Sequence, residues 1–205
     1  MMKYTSIISL LTAIRIPTIA HPSSSTNAFC DKILQMAALK VLTVPDPILR
    51  NRSVRVPEVD RSITRLIKNM IGAMQVEGGV GLAAPQIGKN IRLIVLQMPD
   101  EEPFGLVNPE ITKREGEREI LEACLSIPGY EGLVRRAVTV TAKAMDEKGK
   151  HVRIKASGLL AQALEHEIDH LDGILYPDHI EDKEKLFTTD YNSQQVTPRD
   201  SIDTR

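Results

Sequence analysis

The segment from residue 163 to residue 173 constrains this chain more than any other, because it places two histidines and an acid on one predicted helix. In a helix, His166 and His170 lie one turn apart on the same side. A histidine pair at this spacing can bind a metal ion, and Glu167 takes the general-base position of the H-E-x-x-H pattern. The segment therefore predicts a hydrolytic metal site.

The helical wheel predicts which side of this helix is buried. At about 100° per residue, His170 and Glu167 lie within the apolar arc and His166 lies at its edge. Ionisable groups on a buried face are costly unless they are paired or bound to a metal, so the three residues favour a functional role. We expect the opposite, polar stripe to face solvent; it consists of Gln162, Glu165, Asp169 and Asp172.

Length and composition limit the classes of protein. A chain of 205 residues with 42% hydrophobic content suits one globular domain with tails. The net charge of −1 and the absence of Trp argue against DNA binding. No apolar run reaches the roughly 18 residues of a membrane span. With only Cys30 and Cys124, a disulfide framework is not expected. We expect a cytoplasmic monomer without a membrane partner.

Residues 1–35 differ in composition from the rest. Up to Cys30 they contain Lys3 and Arg15 but no acid, which is typical of an organellar transit peptide, and residues 6–14 resemble a short signal-peptide core. A third interpretation is that translation starts at Met36 or that the segment is disordered. We predict no fold for residues 1–35, with organellar import only if they form a real transit peptide. We place the catalytic domain at 36–187 and a flexible tail at 188–205.

Hydrophobic spacing and capping residues predict a second helix. Apolar residues recur three and four positions apart between residues 60 and 77, which indicates an amphipathic helix with Asp60 or Ser62 as its N-cap. We expect Ser157 to cap the histidine-bearing helix and Gly173 to end it.

Short apolar and alternating runs predict the strands. Composition favours strands over residues 91–96 and 105–109, and we expect Asn108–Pro109 to stop the second. Residues 138–144 and 152–156 alternate apolar and polar side chains around a turn, which indicates a hairpin. The predicted fold class is α+β. Antiparallel or mixed strands pack around a central metal-binding helix, and a second, amphipathic helix completes the fold.

Cys124 is the best candidate for a third metal ligand. A thiolate with two imidazoles forms a tetrahedral site with one position left open, and zinc is the default metal for that set. We set aside His151 and His179 because they fall on the predicted hairpin and in the polar C-terminal region. Two alternatives stay open for Cys124, a small buried side chain or a nucleophile paired with histidine. The second would leave the His-Glu-His helix unexplained.

Three motifs together resemble one family. The runs GVGLAAPQ at residues 79–86, EACLS at 122–126 and HEIDH at 166–170 occur in this order in peptide deformylases. The resemblance extends from about Met36 to Gly173. It implies a deformylase-like fold and hydrolysis of the formyl group from N-formylmethionyl nascent chains, at the ribosome exit, with release of formate. This is N-terminal methionine processing in protein biosynthesis.

The resemblance also implies roles for individual residues. It implies one Fe²⁺ ion per chain, with Zn²⁺, Ni²⁺ or Co²⁺ as substitutes. Glu167 would transfer protons, and the Gln86 side chain and Leu125 backbone N–H would stabilise the oxyanion. The metal ligands carried over by motif position are Cys124, His166 and His170.

The resemblance implies where substrate lies. Val80 and Gly81 look like the edge against which the family lays its peptide as an added strand. Ala123 stands beside the substrate where the family usually has Gly. We expect a negative φ there, in which case Ala is harmless. Glu165 replaces the usual Gln, and we expect a mild effect because its position falls on the polar stripe.

Two other functions compete with this interpretation. A purely structural metal site would leave Glu167 and Gln86 without a role. An unrelated metallopeptidase would take its third ligand downstream of the helix, whereas Cys124 lies upstream. An inactive, peptide-binding relative remains an alternative because of Ala123.

Overall fold

The computed structural model describes residues 39–189 and the backbone of residues 196–198, so the prediction for residues 1–35 lies outside the described residues. Within these ranges the chain forms two α-helices and nine strands. The helices are α1 (Arg61–Val76) and α2 (Gly158–Leu171). The strands are β1 (Gly81–Ala83), β2 (Leu93–Leu96), β3 (Phe104–Glu115), β4 (Arg118–Cys124), β5 (Ile127–Arg136), β6 (Thr139–Met145), β7 (His151–Ser157), β8 (Leu186–Thr189) and β9 (Val196–Pro198).

The strands form two antiparallel sheets. The five-stranded sheet has the order β1-β2-β3-β6-β7, and the four-stranded sheet has the order β4-β5-β8-β9. The predicted hairpin is β6 and β7, which pair from Thr139 opposite Ser157 to Met145 opposite His151. The α+β prediction, with strands around a central helix, is therefore confirmed.

The two helices pack on opposite faces of the five-stranded sheet. Strand β2 is buried along its whole length, and its side chains alternate between the two sides. Ile94 and Leu96 belong to the core cluster that contains α2, whereas Leu93 and Val95 belong to the cluster that contains α1. Burial on both faces explains why β2 is an unbroken run of apolar residues.

The cap predictions differ in outcome. The Asp60 carboxylate accepts hydrogen bonds from the Ser62 and Ile63 N–H groups and begins α1 as predicted. Ser157 occupies the N-cap position of α2, but its side chain makes no capping hydrogen bond. Gly173 lies just past the end of α2 with φ of 73°. A Cβ there would lie 2.5 Å from the Arg50 carbonyl oxygen, so the position requires glycine.

The prediction that Asn108–Pro109 stops a strand is wrong. Strand β3 continues through both residues to Glu115, and the pairing with β6 shifts register between Val107 and Glu110. Asn108 adopts φ of 53°, and its side chain accepts a hydrogen bond from the Val56 N–H and donates one to the Val56 carbonyl. The bulge therefore accommodates the missing N–H of Pro109 without ending the strand.

Strand pairing extends further towards the C-terminus than the polar composition of this region predicted. Strand β8 pairs with β5 from Leu186 opposite Gly132 to Thr188 opposite Tyr130, and the backbone of 196–198 pairs with β8. Ordered pairing thus continues beyond the boundary at residue 187. Among the described residues, the longest apolar helical stretch is too short to cross a membrane.

Candidate metal centre and its surroundings

The three predicted ligands come together between α2 and the end of β4. The possible ligand atoms of Cys124, His166 and His170 all lie within 4.8 Å of one another, and all three residues are buried. Cys124 Sγ lies 3.2 Å from His170 Nε2, and the two imidazole rings meet edge to face with centroids 5.0 Å apart. The i, i+4 spacing on α2 and the last residue of β4 therefore create a compact cluster of one sulfur and two nitrogen donors.

Neighbouring groups orient these donors. His166 Nδ1 lies 2.9 Å from Glu122 Oε2, so Nδ1 donates to the carboxylate and Nε2 is left to bind a metal. The Ser126 N–H donates to Cys124 Sγ at 3.4 Å. Burial alone would raise the pKa of the Cys124 thiol, but the His170 and His166 imidazoles lower it to about 5. The sulfur is therefore poised to act as a thiolate.

The donor set fits a transition-metal ion. A thiolate and two imidazoles suit divalent iron, zinc, nickel and cobalt, and three protein ligands leave a position open for substrate or solvent. The chemistry also explains why two imidazoles are buried against a thiol, an arrangement that is costly for an uncompensated ionisable cluster. Cys124, His166 and His170 are the residues that would hold the ion.

Glu167 lies buried between the histidines and β1. A Cβ at Gly81 would lie 2.4 Å from Glu167 Oε1, so the carboxylate rests directly against the backbone of β1. Its other oxygen has no hydrogen-bond partner among the described residues. Burial raises the pKa of Glu167 to about 7, although the charges of His166 and His170 act in the opposite direction. A carboxyl group with this pKa can accept and return a proton near neutral pH.

Gln86 is held with its amide nitrogen towards the cluster. Its Oε1 accepts the Ala83 N–H at 2.8 Å, and its Nε2 donates to Ser126 Oγ at 3.1 Å and approaches Cys124 Sγ at 3.7 Å. Leu125 lies in the turn between β4 and β5, and no described residue accepts a hydrogen bond from its N–H. The Gln86 amide and the Leu125 N–H thus place two N–H donors beside the predicted ligands, the first already bonded to Ser126.

The predicted substrate-contact residues border the same region. Gly81 begins β1, which is one of the two edge strands of the five-stranded sheet, and Val80 precedes it. The Val80 carbonyl already accepts a hydrogen bond from the Gln97 N–H. Ala123 lies in β4 opposite Glu131. Among the described non-glycine residues, only Asp100 and Asn108 have a positive φ. The expected negative φ at Ala123 is therefore confirmed.

The prediction that the polar stripe of α2 faces solvent is wrong for three of its four residues, whereas the fourth, Asp172, is half-buried. Glu165 is 4% exposed, Asp169 9% and Gln162 6%. Gln162 donates to the Leu121 carbonyl of β4, and Asp169 accepts a hydrogen bond from Arg136 of β5. Glu165 accepts hydrogen bonds from Arg114 Nε at 2.7 Å and the Ala137 N–H at 2.9 Å. The stripe is thus a buried polar contact between the helix and the strands, which a helical wheel alone does not distinguish from a solvated face.

The residues that support the ligands were not predicted from the sequence. Glu122 is fully buried between His166 and Arg136, whose guanidinium donates to both of its oxygens. Burial raises the pKa of Glu122, but His166 and Arg136 outweigh it and bring the pKa to about 2. One signal was present: Glu122 lies two residues before Cys124, so in a strand both side chains point the same way. For Arg136 no comparable local signal exists.

The structure also corrects the place assigned to His179. The residue was expected in a polar C-terminal region, yet it ends a 3-10 turn at Tyr176–His179 and lies 2.8 Å from Asp169 Oδ2. His151, by contrast, is exposed at the start of β7, as its place on the hairpin predicts.

Comparison with known proteins identifies relatives over the described domain. A sequence model of the polypeptide deformylase family matches residues 38–186. The peptide deformylase of Dehalococcoides mccartyi strain CBDB1 is 52% identical over 152 residues, which are 74% of this chain and 91% of that protein. The peptide deformylase of Thermomicrobium roseum is 45% identical over 159 residues, covering 74% of this chain and 90% of that protein.

Solved structures agree with the sequence comparison. The crystal structure of a peptide deformylase from Legionella pneumophila superposes with a TM-score of 0.69 and 45% identity, covering 71% of this chain and 87% of that one. A peptide deformylase from Synechococcus elongatus, solved in complex with actinonin, gives a TM-score of 0.69 and 38% identity over 71% of this chain and 80% of that one. This chain therefore belongs to the polypeptide deformylase family.

Proposed function

We propose that Cys124, His166, His170, Glu167 and Gln86 form the active site with which this deformylase removes the N-formyl group from formylmethionyl peptides. The observation that supports the assignment is the convergence of the three ligand atoms within 4.8 Å, with Glu167 buried against Gly81 on one side. In the reaction, water adds to the formyl carbon, the carbon–nitrogen bond breaks, and formate and a free amine are released.

Glu167 carries the proton in this proposal. Cys124, His166 and His170 would hold a divalent ion, which would supply Lewis acidity at the formyl carbonyl and the attacking water. Glu167 accepts a proton from that water and later delivers it to the leaving amine nitrogen. Its pKa of about 7 supports both directions of transfer, because the group exchanges a proton easily near neutral pH.

Gln86 and Leu125 are proposed to stabilise the negative charge that develops on the formyl oxygen. The Gln86 amide is fixed by the Ala83 N–H, so its Nε2 needs no reorientation during the reaction. The Leu125 N–H, at the turn after Cys124, supplies the second donor. Two prearranged donors in a buried site stabilise an oxyanion more than water does.

The substrate peptide is proposed to add as a strand at β1. That strand is an edge of its sheet, and Val80 and Gly81 lie at its start beside Glu167. An extended peptide there would form main-chain hydrogen bonds and place its formylated end at the cluster. Ala123, on β4, contributes to the other wall. A closed, apolar site would accept a formyl hydrogen more readily than an acetyl methyl group.

The metal and the cellular setting are proposals of the same kind. The family resemblance favours one Fe²⁺ ion per chain, and the sulfur-and-nitrogen ligand set also suits Zn²⁺, Ni²⁺ or Co²⁺. We place the enzyme in the cytoplasm as a monomer that acts on nascent chains near the ribosome exit. An N-terminal transit peptide would instead direct it to an organelle.

The test is an anaerobic metal analysis joined to a formate-release assay. The expected result is one divalent ion per chain, formate release from a formyl-Met peptide, and none from the acetylated control. Bound metal without formate release would favour the competing interpretations, a structural metal site or an inactive peptide-binding relative. Release of internal fragments from the peptide would instead indicate a metallopeptidase.

A further inference from the structure

A chain of hydrogen bonds leads from His166 to the protein surface. Beyond the His166–Glu122 contact, Arg136 donates through Nε and Nη2 to the two Glu122 oxygens at 2.8 and 2.9 Å. The remaining Arg136 nitrogen, Nη1, donates to Asp169 Oδ2 at 2.6 Å. His179 Nε2 reaches the same Asp169 oxygen at 2.8 Å. His179 is therefore the outermost member of a continuous path to a predicted metal ligand.

The residues of this hydrogen-bond path come from four separate elements. Glu122 lies on β4, Arg136 on β5, Asp169 on α2 and His179 on the 3-10 turn that follows α2. The side chains of Glu122 and Arg136 are 0% and 4% exposed, whereas that of His179 is 33% exposed. His179 thus lies between the buried carboxylate–guanidinium pair and solvent.

The geometry fixes the direction of the outer hydrogen bond. An ionised carboxylate only accepts hydrogen bonds, so His179 Nε2 carries the hydrogen and donates to Asp169. His179 Nε2 is also 3.5 Å from Arg136 Nη1. Since both nitrogens are donors, they do not bond to each other but converge on one oxygen. Burial raises the pKa of Asp169, but the His179 hydrogen bond and Arg136 outweigh it and lower the pKa.

The charges explain why the outer donor matters. Two buried carboxylates, Glu122 and Asp169, share the single positive charge of Arg136. Without the His179 donor, Asp169 keeps only Arg136 as a side-chain partner among the described residues. A buried carboxylate that loses a partner is strongly destabilised, so Arg136 is drawn towards Asp169 and its hold on Glu122 weakens. Because Glu122 orients His166, the change reaches the ligand.

We propose that His179 is a positioning residue for the metal centre. By donating to Asp169, it keeps Arg136 on Glu122 and thereby holds the His166 imidazole in the orientation that binds metal. The inference rests on the metal site proposed above. Groups that hydrogen-bond a ligand directly commonly change metal affinity by about 10- to 100-fold, and because His179 acts through three other residues we expect the lower end of that range.

The experiment uses the full chain loaded anaerobically with Co²⁺, whose visible spectrum reports ligand geometry. We measure that spectrum and the rate of Co²⁺ loss to excess chelator. His179→Ala should lose Co²⁺ about tenfold faster than wild type and show a shifted spectrum. His179→Phe, which keeps the ring without the donor, should behave alike. His179→Gln, whose amide can donate to Asp169, should restore both readouts.

Arg114→Gln is the matched control. It removes the ion pair between Arg114 and Glu165. Glu165 lies on α2, one residue before His166, but takes no part in the hydrogen-bond path from His166 to His179. Its spectrum and rate should equal those of wild type. Circular dichroism checks that each variant is folded, which we expect because His179 lies on an outer turn.

The outcomes separate the inference from the site assignment. If wild type fails to bind one Co²⁺ per chain, the proposed metal site is wrong and the inference falls with it. If wild type binds Co²⁺ but His179→Ala and His179→Phe match it, the inference alone is wrong. If Arg114→Gln loses Co²⁺ as fast as His179→Ala, the inference is also wrong, because the effect would come from a general loosening of the structure. If His179→Gln does not restore the wild-type rate and spectrum, it is wrong because the imidazole ring and not its donor would matter.

Discussion

The carboxylate of Glu167 lies directly against the α-carbon of Gly81, and a Cβ built there would come within 2.4 Å of Oε1. This contact joins the proposed general base on α2 to the edge strand β1 on which the substrate is proposed to add. The glycine is therefore required by the position of a functional carboxylate and not by an unusual backbone angle, since Gly81 is absent from the residues with positive φ.

Gly81→Ala should reduce turnover while leaving the metal bound. The new methyl group must push the Glu167 carboxylate aside, and a displacement of about 1 Å in an active site commonly lowers the rate about 100-fold. The measurement is formate release, with metal content determined on the same sample. Gly72→Ala is the matched control, because a Cβ at Gly72 of α1 has no heavy atom within 4 Å. It should keep full activity and gain about 0.5–1 kcal/mol of helix stability.

Glu167→Gln should retain the metal and lose about 10²–10⁴-fold in kcat. The amide preserves the shape of the side chain but neither accepts nor returns a proton. Glu167 is not among the three ligands, so metal analysis should show the wild-type content. Turnover near the wild-type rate would remove Glu167 from the mechanism.

Local patterns predicted the helices and the ligands, because their signals lie within a few residues. The apolar spacing between residues 60 and 77 and the carboxylate of Asp60 define α1 almost to the residue. The four-residue spacing of His166 and His170 places both on one side of α2, whatever packs against it. The motif EACLS marked Cys124, although the residues alone did not decide between a ligand and a small buried side chain.

Features that depend on long-range packing were not predictable. Glu165 and Asp169 have the same polar pattern whether water or protein faces them, and only the placement of the surrounding strands decides which it is. Arg136 is fourteen residues from Glu122 along the chain and meets it because β4 pairs with β5. Asn108 combines two turn-forming signals, yet its contacts with Val56 stabilise a bulge within β3.

Tyr176→Phe should raise the free energy of unfolding by about 1 kcal/mol. The Tyr176 hydroxyl is buried and has no hydrogen-bond partner among the described residues, so the folded state loses its hydration without compensation. The ring itself stacks beside His166, with centroids 6.3 Å apart, and is unchanged in Phe. Urea denaturation measures the difference.

Tyr176→Ala provides the contrast for that measurement. Removing the whole buried ring should destabilise the protein by about 3–5 kcal/mol, the usual range for an aromatic residue in a core. If Tyr176→Phe is also destabilising, the hydroxyl has a hydrogen-bond partner in the folded protein, which would contradict this prediction.

Ala123→Gly should not increase kcat/KM for formyl-Met peptides. The family resemblance implies glycine at this position, but Ala123 pairs with Glu131 in β4 and does not have a positive φ, so its methyl group imposes no backbone strain. Glycine in a strand interior costs about 0.5–1 kcal/mol relative to alanine, so the variant should unfold at a lower urea concentration with unchanged kinetics. A clear rise in kcat/KM would show that the Ala123 methyl group obstructs the substrate. The kinetics of both proteins are compared on formyl-Met peptides of two lengths. The comparison decides whether the natural alanine at position 123 restricts the site or only stabilises the strand that carries Cys124.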